Sequence, residues 1–296
     1  MTPIHIMVLR HSAFYSPLIS TITGGYLREE GLSPTYTVAP ARDSVAEGIA
    51  AGTVHVAQSA VATSFPALER GETPPFVHFA QINERDGFFL AGREPEPDFT
   101  WDRLVGRRVL VDHFFQPLAM FKYACHRKGV DFEAIEAIDA GDVSAIDAAF
   151  RAGQGDYVHQ QGPAPQQLEK EGIGHVVASV GKAIGPVAFS SLCAAPSWLE
   201  TDMARAFMRA YRRAREYVIE APAGEIAEAE AEYFPGIDRD VLTETIGAYQ
   251  RLGCWAPDPA ISREAYETLL DVFEYSGLIT RRHPYEAAIV APPEDP

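Results

Sequence analysis

The segment Tyr157-Val158-His159-Gln160-Gln161-Gly162 sets an imidazole beside two amide side chains at the end of a short apolar run. Those groups can hold a small polar ligand, because imidazole and amide each offer a hydrogen-bond donor and an acceptor. Side chains alternate along a strand, so His159 and Gln161 should share a face and Gln160 should oppose them. A second set, Val111-Asp112-His113-Phe114-Phe115, precedes a helix that carries Pro117 near its first turn. Asp112, His113 and Phe114 are therefore expected at another strand's carboxyl end. A third set, Arg10-His11-Ser12-Ala13-Phe14-Tyr15, ends one strand and opens a helix. Free N–H groups there, with the Ser12 hydroxyl, suit an anionic or carbonyl group. Phe14 and Tyr15 could stack on a planar ligand or staple the helix onto a sheet. Ser59, with Thr63 after it, repeats the strand-to-helix pattern, with a plain N-cap as its competing role. Residues 81–87 form the densest polar cluster, and there Asn83 and Arg85 are candidate ligand donors, Arg suiting a planar anion.

Reactive chemistry is harder to find. No phosphate-binding loop, GxGxxG, GxSxG elbow or HExxH occurs. His113 and His159 are candidate acid–base groups, but nothing marks a nucleophile. Cys125, Cys193 and Cys254 are odd in number and far apart, which fits buried inert thiols rather than a disulfide framework or a CxxC metal site. No His/Cys/Asp set has metal spacing, so no metal or other cofactor is expected.

A net charge of −16, from 25 basic and 41 acidic residues, argues against nucleic acid and anionic lipid as partners. No apolar run approaches the roughly 18 to 20 residues that span a bilayer, so direct membrane insertion is not expected. The start MTPIHIMVLRHS has no basic segment, apolar core or small-residue cleavage site. The expected location is the cytoplasm if Met1 is the native start, and the periplasm if an export signal has been removed.

Positioning these residues falls to alternating strands and helices. Strands are expected at 4–9, 35–38, 54–57, 76–79 and 88–90, with helices at 15–30 and from Asp43 to 51. After a Pro- and acid-rich stretch at 92–100 the pattern restarts. Strands at 108–111, 135–138, 157–160 and 175–178 alternate with helices at 116–128, 144–151 and 165–171. This grammar predicts βαβ units and parallel sheets. Helices follow at 198–221, 226–233, 238–252 and 262–276, and the tail APPEDP is expected to be disordered.

HSAFYSPLI, GGYLREEGLSPTYTVA and EGIAAGTVHVAQSA resemble the first lobe of solute-binding proteins for nitrate, sulfonates, taurine and thiamine-precursor pyrimidines. WDRLVGRRVLVD resembles the segment that opens the second lobe of that family, and AAFRAGQGDYVHQQGPAP stands where a strand returns to the cleft. The resemblance spans roughly residues 4–275. It implies an α/β, two-lobed periplasmic-binding-protein type II fold with a ligand cleft between the lobes and extra C-terminal helices. Residues 1–90 would form lobe one, 91–187 lobe two, and 188–296 the return to lobe one plus the helices. It also implies a small-molecule ligand, a planar heteroaromatic or a carboxylate or sulfonate, and the permease of an ABC-type importer as partner. The same superfamily includes thiamine pyrimidine synthases, so an enzyme acting on a pyrimidine is the alternative. Those enzymes carry a cysteine-rich segment and a cofactor-binding lysine; here there is no cysteine cluster, and Lys182 is the lysine nearest the expected cleft.

Overall fold

In the computed structural model, which describes residues 1–41 and 43–295, the chain opens on β1 (Thr2–Val8), where Ile4, Ile6 and Val8 alternate inward. A 3-10 turn at Ala13–Tyr15 leads into α1 (Ser16–Thr23), and then α2 (Tyr26–Glu29). The single helix expected over 15–30 is thus broken. Gly25 adopts φ 77°, a left-handed conformation that ends a helix. There follow β2 (Leu32–Val38), α3 (Ser44–Ala50), β3 (Val56–Ser59), α4 (Phe65–Glu69) and β4 (Val77–Asn83). Asp43, whose type and place suit an N-cap, precedes α3 without making a side-chain cap. β3 starts later than position 54 because the Val54 N–H still bonds the Gly48 carbonyl of α3.

β5 (Phe88–Gly92), β6 (Arg108–Leu110), α5 (Phe115–Arg127), β7 (Glu136–Ile138) and α6 (Val143–Arg151) come next. β8 (Tyr157–Gln161), α7 (Ala164–Lys170), β9 (His175–Ser179) and α8 (Val180–Ile184) follow them. The chain then forms β10 (Ser190–Ala194), α9 (Pro196–Leu199) and α10 (Asp202–Glu220). It closes with α11 (Ala223–Glu230), α12 (Arg239–Leu252) and α13 (Arg263–Tyr275). The helix expected over 198–221 is two, because the Thr201 side chain accepts the Ala204 N–H and starts α10 afresh.

Two five-stranded sheets result among the described residues, ordered β2-β1-β3-β10-β4 and β7-β6-β8-β5-β9. β1 runs parallel to β2 and β3, and β6 parallel to β7 and β8. The sheets are nevertheless mixed, not wholly parallel as the alternation predicts. β10 is antiparallel to β3 and β4, and β5 to β8 and β9. Both reversed strands follow a strand of the other sheet, so neither is the second strand of a βαβ unit within its own sheet. The chain leaves the first sheet between Asn83 and Phe88 and returns to it at Ser190.

The polar cluster at 81–87 is largely structural. The buried Arg215 guanidinium donates to the Gln81 and Ile82 carbonyls, and the Gln81 amide donates to the Asp258 carbonyl. Residues 291–295, expected to be disordered, bring Glu294 and Asp295 to Arg212 and Arg209 of α10. At the outgoing crossover, a Cβ on Gly181 would overlap the Asp86 carbonyl oxygen. Backbone cannot yield as a flexible side chain does. Gly181→Ala should therefore cost about 1–3 kcal/mol of stability, read by urea denaturation; an unchanged midpoint would show that α8 shifts freely.

Candidate functional site

Between the two sheets lies a cavity of about 50 Å³, room for a few water-sized groups. Lobe one contributes Arg10, Tyr15, Gln58, Ser59 and Thr63 from the ends of β1 and β3, with Phe189 and Ser190 from the incoming chain. The other wall consists of Phe88 on β5, Phe114 to Pro117 at the start of α5, and Gln161 at the end of β8. Carboxyl ends of strands meet here from both sides, as open α/β sheets dictate. A wider chamber of about 490 Å³ continues outward past Arg10 and Gln161, between His11, Ser12, Val38, Val143 and Pro163.

Direct bonds cross the gap. Arg10 Nη1 donates to Asp112 Oδ2 at 2.7 Å, and its guanidinium lies 4.7 Å over the Phe114 ring. Burial alone would raise the Asp112 carboxyl. The hydrogen bond and charge of Arg10 and the N–H of Phe114 outweigh burial and hold it below its ordinary value. Ser12 Oγ donates to the Gly162 carbonyl at 2.7 Å. At the same residue, the Gly162 N–H donates to the Tyr249 hydroxyl of α12, which donates onward to the Gly87 carbonyl. The loop after β8 is thereby clamped between lobe one and a C-terminal helix.

The structure sorts the residues that the sequence singles out. Tyr15, Ser59, Phe114 and Gln161 line the cavity, while Asp112 and Ser12 hold its rim. Ser59 also shares a hydrogen bond with Thr63 at 3.1 Å. Others lie elsewhere. Phe14 is wholly buried, its ring against Phe189 and Tyr249, so it is core and not a stacking surface. Asn83 is buried too, donating to the Phe14 carbonyl at 2.7 Å. Arg85 lines a separate depression with Glu244 and Arg251. His113 does not line the cavity, and its Nδ1 meets the Val111 carbonyl at 2.9 Å.

His159 corrects a stronger expectation. It does lie on the face opposite Gln160, whose amide reaches Asp147 of α6. Its ring, however, is fully buried between Phe88 and Phe121, with centroids 4.5 and 4.8 Å away. Burial drives its pKa down to about 3, so the ring is neutral near neutrality and supplies no cation to a ligand. It forms a layer beneath the cavity floor that Phe88 provides.

Gln116, Gln58, Phe88 and the return strand were not among the expected site residues. Gln58 precedes Ser59 in the same strand-to-helix turn, and Gln116 precedes Pro117 at a helix start, so a signal existed for both. Phe189 and Ser190 reach the cavity only because β10 inserts beside β3, which local sequence does not reveal. Cys125, Cys193 and Cys254 are buried free thiols. Among the described residues no group of His, Cys, Asp or Glu could hold a metal ion, and no helix is long and apolar enough to cross a membrane.

Residues 14–225 match the protein family described as NMT1/THI5 like. A relative in Bacillus subtilis (strain 168), YtlA, named as a candidate binding protein, is 29% identical over 293 residues, covering 98% of this chain and 88% of its own. The alkanesulfonate-binding protein SsuA from Xanthomonas axonopodis pv. citri, solved with MOPS, superposes with a TM-score of 0.74 at 15% identity, covering 98% of this chain and 99% of SsuA. The ligand-binding component of an ABC-type import system from Staphylococcus aureus, solved with zinc, gives 0.74 at 14% identity, over 98% and 97%. The nitrate-binding protein NrtA from Synechocystis PCC 6803 gives 0.64 at 13% identity, over 82% and 69%. These likenesses show the fold, the two-lobed periplasmic-binding-protein architecture.

Proposed function

The chain belongs to the NMT1/THI5-like family, and from that premise we propose that it reversibly binds a small planar solute between its lobes. Delivery to the permease of an ABC-type importer would follow, a reading supported by the import-system component that shares the fold. The observation that carries the proposal is the cavity itself. Both sheets wall it, and the Arg10–Asp112 and Ser12–Gly162 contacts across its rim exist only when the lobes are together. A solute touching both walls favours that closed arrangement by its differential affinity for it.

Phe88, Phe114, Phe189 and Tyr15 present aromatic surface, while Gln58, Gln116, Gln161 and Ser190 present neutral polar groups. Arg10 is the cation in the wall, and Asp112 neutralises it. Such a lining suits a flat heteroaromatic ring with polar substituents, such as an aminopyrimidine, better than a bare anion. Lys182 lends no support to pyrimidine-synthase chemistry, since it lines depressions outside the cavity.

Calorimetry with 4-amino-2-methylpyrimidine, nitrate and taurine tests the ligand class. We expect the pyrimidine to bind with one-to-one stoichiometry and the others at least tenfold more weakly. Saturation at one hundred times Kd should add about 2.7 kcal/mol of stability, seen as a higher melting temperature. Binding of nitrate with no response to the pyrimidine would reverse the assignment.

A further inference from the structure

Hydrogen-bonding capacity in the cavity wall is mostly already spent inside the protein. Gln58 Oε1 accepts the N–H groups of Leu9 and Arg10 at 3.0 and 3.4 Å, and its amide donates to the Ser59 carbonyl. The Ser59 and Thr63 hydroxyls meet each other, and Thr63 also donates to the Ala60 carbonyl. Asp112 gives one oxygen to Arg10 and the other to the Phe114 N–H. The amino end of α5 opens on the cavity, where the positive end of the helix dipole would favour an anion, but the protein's own Asp112 carboxylate already stands there.

Gln116 is different. Its side chain lines the cavity and is 6% exposed. Its Nε2 donates to the Phe189 carbonyl at 2.9 Å. A carbonyl can only accept, so the amide cannot be turned around: the NH₂ must face Phe189, and the oxygen is fixed as the free end. That oxygen, Oε1, is buried with no hydrogen-bond partner among the described residues. Buried acceptors are almost always paired, and one left without a partner is costly.

We infer that Gln116 is a specificity-determining residue, whose Oε1 accepts an N–H from the bound solute and so selects ligands that carry a ring amino or amide group over donor-free isosteres and anions. This rests on the reading of the cleft as a solute site. It deepens that reading by naming the chemical group that the solute must bring. Nitrate and simple sulfonates offer acceptors alone, and in the closed cleft they would leave Gln116 Oε1 buried without a donor.

The test pairs two ligands of the same shape. In 2,4-dimethylpyrimidine a methyl replaces the amino group of 4-amino-2-methylpyrimidine, and methanesulfonate serves as a donor-free anion. On the unaltered protein, calorimetry should give the amino compound about tenfold tighter binding, or more, than its methyl isostere, with methanesulfonate weaker still. In Gln116→Met the amino-to-methyl ratio should collapse towards one. That ratio is insensitive to any general weakening from the lost bond to Phe189. Should the variant fail to fold, the ligand pair on the unaltered protein still decides. Equal binding of the two pyrimidines, an unchanged ratio in Gln116→Met, or methanesulfonate binding as well as the amino compound would each overturn the inference. Failure of both pyrimidines to bind would remove the heteroaromatic reading itself, and the inference with it.

Discussion

Replacing Arg10 with alanine should weaken ligand binding by roughly thirty- to hundredfold while leaving the melting temperature of the free protein nearly unchanged. Asp112 is 4% exposed and depends on Arg10 to balance its charge across the gap. Removing one member of a fully buried pair costs about 3–5 kcal/mol, because the survivor is left charged and unpaired. The Arg10 side chain is 25% exposed, so solvent screening reduces the loss to about 2–3 kcal/mol, which is the stated factor in affinity. The cost falls on closure and not on folding. When the lobes separate, each charge regains water. Solution scattering should accordingly show a larger radius of gyration for Arg10→Ala at a ligand concentration that closes the unaltered protein. Acid should imitate the substitution. The Asp112 carboxyl is depressed in the closed form, so its contribution is fully present above the ordinary carboxylate range and is lost as pH falls through the depressed value. Affinity should stay flat from pH 8 to pH 5 on this account. Unaltered affinity in Arg10→Ala would mean that the interlobe pair is incidental.

The fold was legible because it rests on local signals that survive in one sequence. Gly31, Gly129 and Gly153 stop elements where the spacing predicts, each with a positive φ. Thr35 and the residues after it supply the β-branched and aromatic run of β2. What escaped was non-local. Nothing within Ser190–Ala194 states that this strand inserts between β3 and β4 running the other way. The same holds for β5, whose apolar run reads alike in either direction.

The candidate site was legible to the resolution of a strand end and no finer. Tyr15 and Phe14 are neighbours with equal claims as aromatic surfaces. The 3-10 turn rotates one to the cavity and the other into the core. Asn83 and His159 attract notice as polar residues in apolar surroundings. In Asn83 that polarity serves the Phe14 carbonyl, and His159 is enclosed by rings from β5 and α5, far apart in sequence. Gln116 was hidden for the converse reason. An amide in a helix's first turn looks like a solvated group until the Phe189 carbonyl arrives from another lobe to fix its orientation.

A second large effect is expected from two carboxyl groups that the fold buries without an ion pair among the described residues. Asp86, at the outgoing crossover, accepts the Phe88 N–H at 2.6 Å through Oδ1, while Oδ2 has no partner among the described residues. Burial pushes its pKa up to about 8. Glu230 on α11 receives the Ser16 and Ser20 hydroxyls of α1 at 2.7 and 2.8 Å, and burial again pushes it up to about 8 despite those bonds. In the unfolded chain both groups titrate near pH 4. Between pH 4 and about 8 the folded protein therefore holds protons that the unfolded chain releases, and stability must fall as pH rises. Their contribution is fully present below the unfolded values and lost by about pH 8. Each group can supply a slope of up to about 1.4 kcal/mol per pH unit within that window. A protein of net charge −16 also repels itself more as pH rises, so the wild-type curve alone does not isolate the pair. Asp86→Asn with Glu230→Gln does, because both amides stay neutral throughout. Ser16 can accommodate the new NH₂, since the Ala13 carbonyl at 2.8 Å offers its hydroxyl another acceptor. Urea denaturation at pH 5, 6.5 and 8 should show the double variant gaining on the wild type at each step, by several kcal/mol in all. Parallel curves for the two proteins would show that both carboxylates are ionised in the fold and solvated in a way that their burial does not allow.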